Sequence, residues 1–378
     1  MMRTRIPRTT VPTQVGRRLV SSATPAKSAK KHDEVIFSGI QPTGTPHLGN
    51  YLGLFLPFLE LQRTAAPSTP VYLSVVGLHS ITLPQNPAQL ISDRRNMLAA
   101  LLACGVDPNR TTLYLQEQVP QHAELAWYFN TISSVGRLQR MTTWKSRLAV
   151  SRNANSEDEV SEADLRLGLF AYPVLQAADI ALYKGTLVPV GEDQTQHLEL
   201  ARDTNEAFNR AFGEVFPIPD VQIVPQKRIL SLKNPTEKMS KSAPNPASRI
   251  SITDSSKEIE KKIKGAVTDA DRHITFDAVG RPGVANLLTI WSALDDSERT
   301  PSQLADMAAA EGWGAGKLKS AVAEVVVHKL APVREEYARI VADPGYIRDV
   351  AAQGAHKARE TAEKTMEEVR RVVGLGDI

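Results

Sequence analysis

Apolar positions follow two rhythms along this chain. Up to about residue 190, short apolar or β-branched runs alternate with stretches whose apolar residues recur every 3.6 positions, and from Ser255 onward only the second rhythm remains. Glu34 to Ser38 reads as a strand and Leu48 to Gln62 as the first crossover helix. VYLSVVG (71–77) is continuously apolar or β-branched, as a strand buried on both faces should be. Asn86 and Pro87 stand as cap and first residue of a helix that reaches Cys104, where Gly105 stops it. Thr111 to Gln116 predicts a strand, Gln121 to Ser133 a helix, Leu165 to Tyr183 a longer helix, Leu187 to Val190 another strand, and GEDQTQHLELARD a helix beginning at Gly191. Strands alternating with helices predict an α/β fold with a parallel, doubly wound sheet, whose ligands sit at the carboxyl ends of the strands. SSKEIEKKIKGA, PGVANLLTIWSAL and two longer amphipathic segments then predict an all-helical C-terminal region.

A chain of 378 residues is too long for one small core, which favours two or three domains. At 42% hydrophobic and 23% charged residues it is of ordinary globular composition, and no apolar run approaches the ~18 residues of a membrane span. The net charge of +3 hides an asymmetry. Met1 to Lys31 carries eight basic residues and no acid, so the remaining 37 basic and 42 acidic residues leave the body at −5. That leader is rich in Ser, Thr and Arg, lacks the apolar core of a secretory signal, and has the composition of a mitochondrial transit peptide; a disordered arm that touches nucleic acid is the competing reading. Cys104, the one cysteine, sits in an apolar helix as a packed thiol, which excludes disulfides and cysteine metal sites, and the eight histidines show no ligand spacing such as HxxxH.

Candidate chemistry gathers in three places. In FSGIQPTGTPHLGNYLG (37–53) a strand breaks into Gly and Pro and resumes as a helix, with His47, Gly49 and Asn50 at the junction. A helix start offers unpaired N–H groups and partial positive charge to a phosphate. Neither GxxxxGK[ST] nor GxGxxG is present, and a His where a Walker loop has Lys suggests attack at the α-phosphate of a nucleotide, although an ordinary βα turn capped by Asn50 has the same outline. In AYPVLQAADIALY, Tyr172, Gln176 and Asp179 share one helix face, so a carboxylate stands among apolar neighbours and needs a hydrogen-bond donor, or else pairs with an Arg at the core's rim. Glu192 and Asp193 suit the first turn of a helix through its dipole, and at a strand's carboxyl end they also face a ligand crevice. NPTEKMSKSAPNP (234–246) is a loop in which Lys238 and Lys241 can hold β- and γ-phosphates as pyrophosphate forms. Arg137 to Arg152 is markedly basic, and the acidic Asn153 to Asp164 reads as an exposed, moving loop. GWGAGKLK near Lys317 has the wrong glycine spacing for a phosphate loop and reads as an interhelical turn.

PHLGN in the place of the HIGH signature and an intact KMSKS identify the chain as similar to the class I aminoacyl-tRNA synthetases. GIQPTG, HSIT, YPVLQAADI and VGEDQTQHLELARD resemble the bacterial-type mitochondrial tryptophanyl branch rather than the tyrosyl one, over about Val35 to Gly376. The resemblance implies a Rossmann-type catalytic domain at 33–235 with a mobile insertion near 150–164, a KMSKS loop at 236–245, and a helical tRNA anticodon-binding domain at 246–378, after a transit peptide at 1–32. It implies that tryptophan's carboxylate attacks the ATP α-phosphate to give tryptophanyl-adenylate, and that a terminal ribose hydroxyl of tRNA(Trp) then takes the tryptophanyl group. Little proton transfer is needed in the first step, so positioning and charge stabilisation by His47, Lys238, Lys241 and Mg²⁺ carry it. The protein is then a homodimer of the mitochondrial matrix with ATP and Mg²⁺ as cofactors, no dedicated metal site, and no membrane association.

Carried over by resemblance, Gln41, Pro42, Thr43, Gly49 and Asn50 cradle ATP, Gly191, Glu192 and Asp193 line the ribose, Ile229 touches adenine, and Lys238, Met239, Ser240, Lys241 and Ser242 close on the phosphates. Asp179 accepts the indole N–H, Phe37 and Gly39 shape the pocket, Tyr172 and Gln194 meet the α-ammonium, and His79 lies beside the substrate. Four departures mark this chain: Asn50 at the second signature histidine, usual in the tryptophan branch; Gln176 where many bacterial members have Met; Gly77 where an Asp is common; and Ala243 where an Asp often follows KMSKS. Tyrosine activation is the near alternative. An RNA-binding protein that keeps the fold without activity is the distant one, and intact His47, Lys238 and Lys241 argue against it.

Overall fold

The computed structural model describes residues 33–141, 143–152, 165–191, 194–223, 228–241 and 243–377. The basic leader, the acidic segment 153–164, Glu192, Asp193 and Ser242 lie outside them.

Five strands, β1 (Ile36–Ile40), β2 (Val71–Val75), β3 (Thr112–Leu115), β4 (Leu187–Val190) and β5 (Asp220–Ile223), form one parallel sheet in the order β3-β2-β1-β4-β5. The chain therefore winds outward from β1 through β3, returns to the middle and winds the other way. That reversal creates a crevice between β1 and β4 at their carboxyl ends. The sequence shows why the crevice stays open. Leu187 donates its N–H to Val35 at 3.0 Å, and the next β4 residue facing β1 is Pro189, which has no N–H to give. β1 and β4 accordingly register at Ile36 and Leu187.

Both faces of the sheet are buried, as the unbroken apolar runs predict. Ile36 and Ile40 enter one cluster with the crossover helices and the C-terminal helices, while Phe37, Tyr72 and Tyr114 enter another on the opposite face. The two longest helices, Ala315–Val341 and Pro344–Val373, follow three shorter ones, Ser256–Lys264, Pro282–Leu294 and Pro301–Ala310. The last of the five lies back against β3. Its Gly354 is so close that an added Cβ would collide with the carbonyl oxygen of Leu113, and Ala351, Ala355, Ala358 and Ala362 continue the small-residue contact.

Three details depart from the periodicity. The first crossover is not one regular helix: Leu48–Asn50 leads into a π-helical stretch, Tyr51–Phe55, before Leu56–Thr64 resumes α-helix. The helix expected from Gly191 starts at Thr195, so Gly191 is left at the crevice. β5 has no counterpart among the expected strands, because Pro217 and Pro219 disguise its approach as a linker.

Candidate active site

A cleft of about 940 Å³ opens at the carboxyl ends of β1 and β4. At one end is the signature turn. His47 is the N-cap of the helix it begins, and the cap is reciprocal: Asn50 donates its N–H to His47 Nδ1 at 3.3 Å, and His47 donates its N–H to Asn50 Oδ1 at 3.1 Å. Burial, with Lys241, Lys238 and Arg249 nearby, pushes the imidazole down to about 4. It is therefore neutral at physiological pH, and with Nδ1 accepting, its proton sits on Nε2. What His47 can offer a phosphate is a hydrogen bond, and the charge must come from elsewhere.

The KMSKS stretch brings two lysines close to this turn. Met239 donates its N–H to Ile229 at 2.9 Å and Ser231 to Glu237 at 2.9 Å, which pins the near side of the loop. On the far side Leu48 donates to Ile250 at 2.8 Å and Ile252 to Pro46 at 3.1 Å, so the segment after KMSKS is stitched to the signature turn at the His47 and Ser251 bridge. Lys238 reaches the cleft wall. Lys241 turns away to Thr43, donating Nζ to its carbonyl oxygen near Asp93. Burial lowers the Lys241 ammonium to about 8 against the opposing pull of Asp93, with Arg249 lowering it further.

At the other end of the cleft is Asp179, 2% exposed. Burial alone would raise its pKa, but His122 and His79 outweigh that and hold it down to about 2. His79 Nε2 stands 2.7 Å from Oδ2, while Gln116 Nε2 and His122 Nδ1 stand 2.7 and 2.6 Å from Oδ1. No arginine is among these partners, so the rim-pair reading of Asp179 gives way to a buried histidine and amide network. A fully ionised carboxylate in an apolar crevice is costly unless such donors surround it.

Of the residues brought forward by sequence, Phe37, Gly39, His79, Gln176 and Gln194 line the cleft around Asp179. Gln41, Thr43, Gly49, Asn50, Gly191 and Ile229 line it toward the turn. Gln176 donates to Gln194 across 3.5 Å, so its amide has a partner on the same wall. Tyr172 is buried beside the cleft rather than on its wall, its hydroxyl 2.6 Å from His197 Nε2 and 2.7 Å from Thr143 Oγ1. Pro42, Met239, Ser240 and Lys241, and the His47 side chain itself, are likewise off the wall, and Lys238 is the described KMSKS residue that lines it.

Sequence reasoning passed over four side chains. Arg147 lines the cleft with its guanidinium 4.1 Å above the Tyr172 ring, and Arg228 lines it beside Ile229. The basic run 137–152 was the available signal for Arg147. Gln116 and His122 come from the end of β3 and the following helix, and nothing in their local sequence announces Asp179 as their partner.

The family tRNA synthetases class I (W and Y) matches residues 29–331. The chain belongs to that family. It is 44% identical to a tryptophan–tRNA ligase of Bacillus anthracis over 342 residues, covering 90% of this chain and 98% of that one. It is 40% identical to the mitochondrial tryptophan–tRNA ligase of Saccharomyces cerevisiae, covering 90% of each. A solved tryptophanyl-tRNA synthetase of Campylobacter jejuni, complexed with ADP and tryptophan, superposes with a TM-score of 0.74 at 29% identity, over 90% of this chain and all of that one. Gly49 and Asn50 of PHLGN and Lys238 of KMSKS line the same cleft.

Proposed function

We propose that this protein is a tryptophan–tRNA ligase that activates tryptophan with ATP and charges tRNA(Trp) for mitochondrial protein synthesis. The observation that carries the reading is Asp179, an ionised, buried hydrogen-bond acceptor in a cleft that Phe37, Val76, Ile180 and Val188 also line, and whose other end is lined by the turn that His47 caps and by Lys238. An indole presents one N–H donor on an otherwise apolar ring, which such a pocket suits. A ring without that donor would leave the carboxylate unpaired, a penalty worth up to ~10⁴-fold in comparable sites.

In the first step an oxygen of the tryptophan carboxylate forms a bond to the α-phosphorus as the bond from that phosphorus to the bridging oxygen breaks, and pyrophosphate leaves with the electron pair. Nε2–H of His47 hydrogen-bonds the triphosphate, and Lys238 and Lys241 take up negative charge on the departing phosphates. Glu192 and Asp193 serve the ribose, Gln194 and the Tyr172 face serve the α-ammonium, and Ser240 and Ser242 close with the lysines. Mg²⁺ comes with the nucleotide, screening the phosphates. In the second step a terminal ribose hydroxyl of the tRNA attacks the carbonyl carbon as the bond from that carbon to the adenylate phosphate oxygen breaks, and AMP leaves with the hydroxyl proton on its phosphate. The helical region 246–378 is assigned to anticodon binding, and a homodimer is the working assembly.

The mitochondrial reading rests on the basic, acid-free leader together with the yeast mitochondrial relative. The test is ATP–pyrophosphate exchange with each amino acid in turn. Exchange driven by tryptophan alone is expected, and exchange driven by tyrosine and not tryptophan would overturn the assignment. The N-terminus of the protein isolated from mitochondria tests the leader: an intact Met1 on cytosolic protein would refute targeting.

A further inference from the structure

One of the groups holding Asp179 never touches the cleft. His122, on the helix Gln121–Ile132, is fully buried, and its Nδ1 lies 2.6 Å from Asp179 Oδ1. Its Nε2 lies 3.0 and 3.1 Å from the hydroxyls of Tyr114 and Tyr183, two buried rings seated in the sheet's core. Both tyrosine rings pack within 6 Å of the imidazole, which therefore has no room to swing.

The count of donors decides what Asp179 has left to give. An ionised carboxylate only accepts, and each oxygen has two lone pairs. Oδ1 receives Gln116 and His122 and is saturated. Oδ2 receives His79 alone, so one lone pair remains, on the oxygen next to the cleft-lining histidine.

We infer that His122 is a positioning residue for amino-acid selection: with Gln116 it saturates Asp179 Oδ1 and fixes the carboxylate plane, so that Oδ2 is the atom that accepts the substrate's ring N–H. This rests on the reading that tryptophan is the substrate. The bland alternative is a core histidine satisfied by whatever polar atoms surround it. The two differ in a measurable way, because a core defect would disturb both substrates and a loosened acceptor would disturb one.

The experiment compares His122→Leu, which donates nothing, with His122→Asn, whose amide N–H stands where Nδ1 does. Exchange kinetics are read for tryptophan, for ATP, and for 3-benzothienylalanine, in which sulfur replaces the ring N–H. With His122→Leu the KM for tryptophan is expected to rise about 10- to 100-fold while that for ATP stays within about twofold. The preference for tryptophan over the sulfur analogue should collapse, and His122→Asn should recover most of both. Unchanged tryptophan KM and preference in a folded His122→Leu protein would overturn the inference, as would a parallel rise for ATP with no recovery in His122→Asn. Should the leucine variant not fold, His122→Gln replaces it, since its amide reaches the tyrosines and leaves Oδ1 short of a donor. No tryptophan-dependent exchange in the unmodified protein would instead refute the functional reading beneath.

Discussion

The carboxylate of Glu117 occupies the space beside Gly77, where a Cβ on the glycine would run into Oε2. Glu117 pairs there with Arg94 of the helix Pro87–Ala103. An acid thus fills the space beside Gly77 from the turn after β3. Gly77→Asp should set two carboxylates against each other in a half-buried site and lower stability by about 1–3 kcal/mol. Removing the incumbent in Gly77→Asp/Glu117→Ala should return part of that loss. Urea denaturation of the two single variants and the double checks it; simple additivity would mean that the two positions do not compete.

Asp179→Ala should lower tryptophan-dependent exchange by ~10²-fold or more while the KM for ATP hardly moves. It also strands three buried donors, on His79, Gln116 and His122, so a stability loss of ~2–5 kcal/mol is expected in the same protein. Circular dichroism separates the two effects at a temperature where the variant is folded, and near-normal selectivity for tryptophan would remove Asp179 from recognition.

Two groups beside the cleft with lowered pKa values give opposite limbs to the pH behaviour. Lys241 loses its proton above about 8, so kcat/KM for ATP should fall as pH rises through that value, and Lys241→Arg should move the fall to higher pH. His47 is held near 4 in the folded protein against 6.5 for a free imidazole. The unfolded chain therefore binds the extra proton first as the solution is acidified. Stability from this group is whole above pH 6.5 and drains away as pH falls toward 4, by at most about 3 kcal/mol. Thermal melts of the parent and His47→Asn across that window should show a shallower slope for the variant.

Gly354→Ala tests how the C-terminal helix is seated. The added methyl meets the Leu113 carbonyl, a backbone atom that cannot turn aside, so a loss of about 3 kcal/mol is expected. Gly316→Ala is the control: it lies in the helix Ala315–Val341 with open space around it, and replacing that glycine should stabilise by about 0.5–1 kcal/mol. Chemical denaturation of both variants provides the check.

How far these features could be read beforehand depended on their range. β2 and the helix from Pro87 were legible because apolar runs and an Asn-Pro cap are local signals. The π-helical stretch at Tyr51–Phe55 was not, since it follows from how the turn packs against its surroundings rather than from its own spacing. Asp179 stood out as a carboxylate on an apolar face. His122 did not, because its meaning lies in a contact 57 residues away with a helix that the sequence gives no reason to place beside it. The neutral state of His47 likewise belongs to burial and to cations from a loop some two hundred residues downstream.

The KMSKS stretch is held from within and from behind: Met239, its second residue, donates its N–H to Ile229, and beyond the stretch Ile250 accepts from Leu48. Its lysines are thus delivered on a short tether. If they serve the phosphates as proposed, their effective concentration there is set by chain length rather than by a search through solution. A lengthened tether, with every charge kept, would dilute them: two glycines inserted between Ala243 and Pro244 should slow turnover without changing the local electrostatics, which steady-state exchange kinetics checks.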